Sequence, residues 1–283
     1  MTFSEPGKGG LRGWFRRTFV EPLESVDDEM RRHQSESHSV IDRKTAWVML
    51  SATVALALQR YVSSPVTVLP LLRLLPLSES TKTDLADRLM AIDASRFGDL
   101  AWWSGSTLLA YIVIPFFVVK VVLRERLVDF GLGIKNAASG WPIYAAMAVV
   151  MLPIVFGASK TVAFLNKYPF FRLAPGETIP PEFWKWEILY ALQFVGLEFF
   201  FRGFMIHGLK HRFGSAAVLV MVTPYCMIHF GKPMAETFAA IAAGLVLGVM
   251  SLKTGTIWLG AALHIMVAWT MDALALYRGG FLG

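Results

Sequence analysis

Seven stretches of the chain are nearly free of charge and read as helices crossing a bilayer: Thr45–Val62, Ala101–Leu123, Gly140–Ala158, Trp186–Leu209, Ala216–Phe230, Thr237–Leu252 and Ile257–Leu276. A crossing helix needs about 20 mostly apolar residues, since each residue advances it by only about 1.5 Å. The fifth and sixth stretches are short, so they are expected to tilt or to be partly re-entrant. Thr67–Leu77, "TVLPLLRLLPL", is apolar but broken by Pro70 and Pro76. That suits an interfacial segment better than an eighth crossing, which stays open. In the connection Ser63–Leu100, "ESTKTDLADRLMAI" predicts a short amphipathic helix begun by Ser or Thr. In the connection Lys160–Lys185, Pro180 and Pro181 impose an extended approach to the fourth span. No internal repeat, GxGxxG, P-loop or HExxH interrupts the pattern. The expected fold is all-α: a polytopic transmembrane helical bundle of seven or eight spans. It divides into an N-terminal tail (1–44), the first spans and loops (45–185), a later membrane core (186–276) and a short C-terminal tail (277–283).

Composition supports a membrane protein. Of 283 residues, 55% are hydrophobic and 17% are charged, against about 25% charged in soluble domains. The single cysteine, Cys226, excludes an intrachain disulfide and argues against a thiolate metal cluster. Much of the net charge of +6 comes from Lys8, Arg12, Arg16, Arg17, Arg31, Arg32, Arg43 and Lys44, all before the first apolar stretch. They read as a cytoplasmic tail rather than a nucleic-acid surface. No apolar h-region follows them, so the tail is not a cleavable signal. "LRGWFRRTFV" suits a segment resting on anionic membrane lipid, or else the tail is disordered. With the tail inside, the cytoplasmic side holds a modest excess of Lys and Arg, which leans toward a cytoplasmic N-terminus; the expected location is the cell membrane.

Polar residues inside the apolar stretches carry the candidate chemistry. "GLEFFFRGF" places Glu198 and Arg202 four residues apart on one helical face. A charge at the bilayer centre costs roughly 2.5–3.5 kcal/mol, so such groups face a partner or a polar cavity. Arg202 is the expected partner of Glu198, neutralising it and pinning the fold. His207 is expected at the interface, whereas His229 and His264 sit on separate spans, and two such histidines with a buried Glu suit water activation. Asp272 is read as capping the seventh span, and Glu236 as an acid favoured in a first helical turn. Cys226 reads as core filler, and Gly244 with Gly248 as a close helix contact. The phenylalanines after Glu198 are expected to face lipid or wall the cavity. A divalent metal on the His/His/Glu set is not excluded, although no cofactor is required.

"EFFFRG", "YCMIH" and "LHIMVA", in this order on separate late spans, resemble the motifs of the CPBP (CAAX protease and bacteriocin-processing, or Abi) family. These are intramembrane glutamic endopeptidases related to the type II CAAX prenyl endopeptidase. The resemblance covers roughly Trp186 to Leu276, and weakly "RERLVDFGLGIK". It implies that a Glu and His229 activate a water, and that His264 with an Asn stabilises the oxyanion. The chain departs from the pattern twice: Leu197 stands where the family has its first Glu, and Ala268 where it has the Asn. The expected function is therefore an endopeptidase acting on a peptide or protein at the membrane, lipid-modified or transmembrane, with a site rebuilt from Glu198, His229 and His264. Arg202, Glu236 and Asp272 would support that site. The alternatives are an inactive scaffold or chaperone of the same fold, and a transporter or proton relay.

Overall fold

The computed structural model describes residues 10–36 and 42–282, so Lys8 of the basic tail lies outside the described residues. Among the described residues the regular elements are helical, and β-type pairing is confined to one bridge between Leu132 and Thr256. The main helices are α1 (Glu21–Glu36), α2 (Arg43–Tyr61), α3 (Arg96–Val122), α4 (Trp141–Ala158), α5 (Pro181–Glu198), α6 (Ala217–Met227), α7 (Met234–Thr254) and α8 (Trp258–Arg278). Five helical runs are long and apolar enough to cross a membrane: α3, α4, Pro181–Met227, α7 and α8. The chain is an all-α membrane bundle.

Pro181–Met227 is 47 residues long. A straight helix of that length would measure about 70 Å, roughly twice a hydrocarbon core. The run instead turns at Gly214, whose backbone (φ +55, ψ −135) suits glycine and no other residue well. It thus carries both the fourth and the fifth expected spans. α2 fills the first expected span but is not among these five runs; it carries Arg43, Lys44 and Arg60 at its ends and Ser51 and Thr53 within it. Pro65–Leu72 is a single short helix with Pro70 inside it. At about 12 Å it is too short for an eighth crossing. The helix predicted around residue 80 spans Glu79–Ala94, and its start is capped by Ser78, whose side chain accepts from the Thr81 N–H. Pro180 is extended before Pro181 opens α5.

The tail is an ordered helix where residues 11–36 are concerned, not a disordered segment. The Asp27 carboxylate accepts from the Ser215 N–H (2.6 Å) and Ser215 hydroxyl (3.0 Å), which fastens α1 to the turn at Gly214. Asp42 caps α2 by accepting from the Thr45 N–H at 2.8 Å and lies 3.0 Å from His211 Nε2. Burial alone would raise its carboxyl, but these bonds hold it well below the ordinary carboxylate range.

The centre of the bundle is a π-type turn, Phe199–His207, continuing α5. All nine of its residues are buried. It is surrounded by α2, α3, α6, α7 and the short turn Leu127–Phe130. The expectation that the phenylalanines face lipid or wall the cavity is therefore corrected: they do neither. Phe199, Phe200, Phe201 and Phe204 pack in the main core with Tyr111, Phe130 and Tyr225, because a segment encased on every side has no lipid face. His207, expected at the interface, is likewise buried, with Nε2 3.0 Å from the Ser251 hydroxyl. Gly244 and Gly248 of α7 let α6 approach; a Cβ on Gly248 would sit 2.7 Å from Val218.

Gly203 is the tightest point of this centre, since a Cβ there would lie 2.5 Å from the Phe130 carbonyl oxygen. That neighbour is backbone and cannot swing aside. Gly203→Ala should lower the melting temperature in detergent by several degrees and reduce folded yield. Gly157→Ala, on α4 with nothing within 4 Å of the added Cβ, should be neutral or slightly stabilising. Equal melting of both variants would show that the Gly203 contact does not constrain the fold.

Candidate active site

Glu198 is the last residue of α5, and its side chain is 1% exposed. Oε1 lies 3.1 Å from Arg202 Nη1 and 2.9 Å from His264 Nδ1. Gly260 of α8 provides the space, because a Cβ there would stand 2.5 Å from Oε2. Arg202 is fully buried, and its guanidinium sits 3.9 Å from the centroid of the Tyr225 ring. The Glu198 contacts are close enough for strong attraction between charges, but the N–H directions of Arg202 and His264 are not aligned as hydrogen bonds. The aromatic face therefore carries part of the guanidinium charge, a contact worth about 2 kcal/mol when desolvated.

Both histidines are positioned through Tyr225. The Tyr225 hydroxyl is 3.0 Å from His264 Nε2, and the His264 ring stacks on Phe194 at 5.6 Å with planes 5° apart. With a carboxylate beside Nδ1, the neutral ring carries its proton there and accepts from Tyr225 at Nε2. His229 Nδ1 lies 2.8 Å from the Tyr225 carbonyl oxygen. A carbonyl only accepts, so Nδ1 is the donor and the Nε2 lone pair of neutral His229 is left open.

That lone pair matters because His229 and His264 line one cavity of about 100 Å³, together with Tyr225, Leu197, Gln193 and Tyr111. Glu198 is not part of its wall. The expectation that Glu198 faces His229 across a shared space needs correction. Successive helical residues point about 100° apart, so Leu197 takes the cavity direction and Glu198 turns toward Gly260 and Arg202. The carboxylate meets the cavity only through His264. Arg202 partners Glu198, as the spacing suggested.

The other candidates lie apart. Glu236 occupies the first turn of α7, 2.6 Å from Lys232 Nζ, and accepts from the Tyr168 hydroxyl at 2.9 Å. Lys232 borders the cavity, so Glu236 stands behind it. Asp272 does not cap α8, which runs on to Arg278; it is buried against Glu187 and Trp186. Cys226 is a free, half-buried thiol. Among the described residues no three His, Cys, Asp or Glu side chains converge as a metal-binding group. The Tyr225 hydroxyl, Gln193 and Tyr111 were missed as polar members of the site. A lone Gln within the apolar stretch of α5 was the available signal for Gln193.

Residues 179–270 match the family model described as type II CAAX prenyl endopeptidase, Rce1-like. No curated protein and no solved structure matches the chain. The matched segment contains Glu198, Arg202, Tyr225, His229, Glu236 and His264, whereas Asp272 lies beyond it. Tyr111, Phe130 and residues of α2 and α3 such as Val48 and Val119 enter the centre from outside that segment. The part of this chain that carries both histidines and the buried ion pair, residues 179–270, is thus similar to the Rce1-like type II CAAX prenyl endopeptidases, the family kind that its motifs resemble.

Proposed function

We propose that the chain is an intramembrane endopeptidase that hydrolyses a peptide bond near the C-terminus of a prenylated CAAX-type substrate. The observation that carries this reading is the open Nε2 lone pair of His229 in a cavity shared with His264. His229 takes a proton from a cavity water, whose oxygen adds to the scissile carbonyl. The same proton then passes to the departing amine. His264 stands beside the reacting centre, and Glu198 keeps its proton on Nδ1 and stabilises any positive charge on the ring. Arg202 stops Glu198 from becoming an unpaired buried charge. On this reading the N-terminal tail lies on the cytoplasmic side of the cell membrane.

One observation favours a second reading, a relative that binds such a peptide without cutting it. Leu197 gives the cavity an apolar wall, and Ala268 is buried in an apolar cluster with Trp186 and Tyr190. The resemblance implies a Glu and an Asn at these positions.

The two readings separate with purified protein in detergent and an isoprenylated peptide ending in Cys, two aliphatic residues and a variable residue. Wild type should release the C-terminal tripeptide. His229→Ala should reduce the rate about 10²- to 10⁴-fold while melting near wild type. Glu198→Gln, which keeps the shape but not the charge beside His264, should also slow cleavage. Tight binding without cleavage by wild type would favour the second reading. Undiminished cleavage by both variants would rule out the histidine chemistry.

A further inference from the structure

Besides His264 Nδ1, which lies against Glu198, two buried donors on residues of the cavity wall have no hydrogen bond. The Tyr111 hydroxyl and the Gln193 amide nitrogen are both enclosed and without a hydrogen bond, on side chains whose residues are 2% and 6% exposed. Most buried polar groups in proteins are satisfied, so an unpaired donor beside a cavity is a candidate for a ligand contact. Both line the space that His229 and His264 line. Tyr111 is held rigidly, with its ring stacked on Phe200 at 4.6 Å and edge-on to Phe201 at 5.7 Å. Gln193 lies one turn before Leu197 on the same face of α5, and its amide turns about a broad, two-fold torsion.

We infer that Tyr111 and Gln193 form the oxyanion hole of this site, receiving the oxygen of the substrate's scissile carbonyl. The inference rests on the peptidase reading above. When water adds to the carbonyl carbon and gives its proton to His229 Nε2, the carbonyl π pair moves onto oxygen. The Tyr111 O–H and Gln193 N–H then donate to that oxygen. As the oxyanion collapses, the C–N bond breaks and the amine leaves with the proton from His229. Ala268 supplies no donor, and these two groups take that place from α3 and α5.

Orphan donors give a signature that a packing role would not. Tyr111→Phe and Gln193→Leu each remove a donor and keep the bulk, so thermal stability in detergent should be unchanged or raised. With the isoprenylated peptide as probe, kcat should fall about 10²- to 10³-fold in each variant while KM changes little. The aldehyde of the same peptide, whose hydrate mimics the tetrahedral intermediate, should bind correspondingly more weakly. Wild-type kcat in both variants, or losses confined to KM or stability, would overturn the oxyanion hole and leave the peptidase reading intact. A wild type that neither cleaves the peptide nor binds the aldehyde would overturn both.

Discussion

The structure depends on how a carboxylate and a guanidinium are kept together where water does not reach. Glu198 and Arg202 are 1% and 0% exposed and 3.1 Å apart. Removing one partner of such a pair costs about 3–5 kcal/mol, because the other charge is stranded. The need to accommodate them explains much that surrounds them. Gly260 leaves space for the carboxylate, Tyr225 offers its ring to the guanidinium, and Gly203 lets the Phe130 carbonyl close over the turn that carries Arg202. The Ser251 hydroxyl donates to the Arg202 carbonyl at 3.1 Å, tying α7 to the same turn.

The candidate chemistry is arranged one layer outward from this pair. Glu198 touches His264, His264 touches the Tyr225 hydroxyl, and the Tyr225 carbonyl fixes the tautomer of His229. Three helices and the loop after α6 are thereby linked through polar contacts, and His264, Tyr225 and His229 line one cavity while Glu198 lies behind it. A carboxylate placed behind a histidine acts on its proton and orientation, not directly on water. Leu197 in the cavity wall and Glu198 behind it are consistent with that division.

The helices were legible because apolar length and polar punctuation are local signals. Ser78, Pro180 with Pro181, and the Gly244/Gly248 spacing all act where the sequence places them. The Glu198–Arg202 pair was legible for the same reason, being a contact within one turn. What one helix presents to another was not. Whether position 197 or 198 looks into the cavity depends on the rotation of α5 against α6 and α8, which no spacing within α5 reveals. The burial of His207 and the phenylalanines depends on the turn Leu127–Phe130 and α7 closing around them. Asp272 was misread as a cap because its partner, Glu187, lies 85 residues earlier in the chain.

The most direct measurement is a double-mutant cycle on the buried pair, with Arg202→Met, Glu198→Gln and the double variant unfolded in the same detergent. If the pair is the constraint on which the core is built, each single variant strands one partner and is strongly destabilised. The double variant should then lose less than the sum of the two, by up to about 3 kcal/mol of coupling. Strictly additive losses, or two singles as stable as wild type, would mean that the bundle does not rest on this pair.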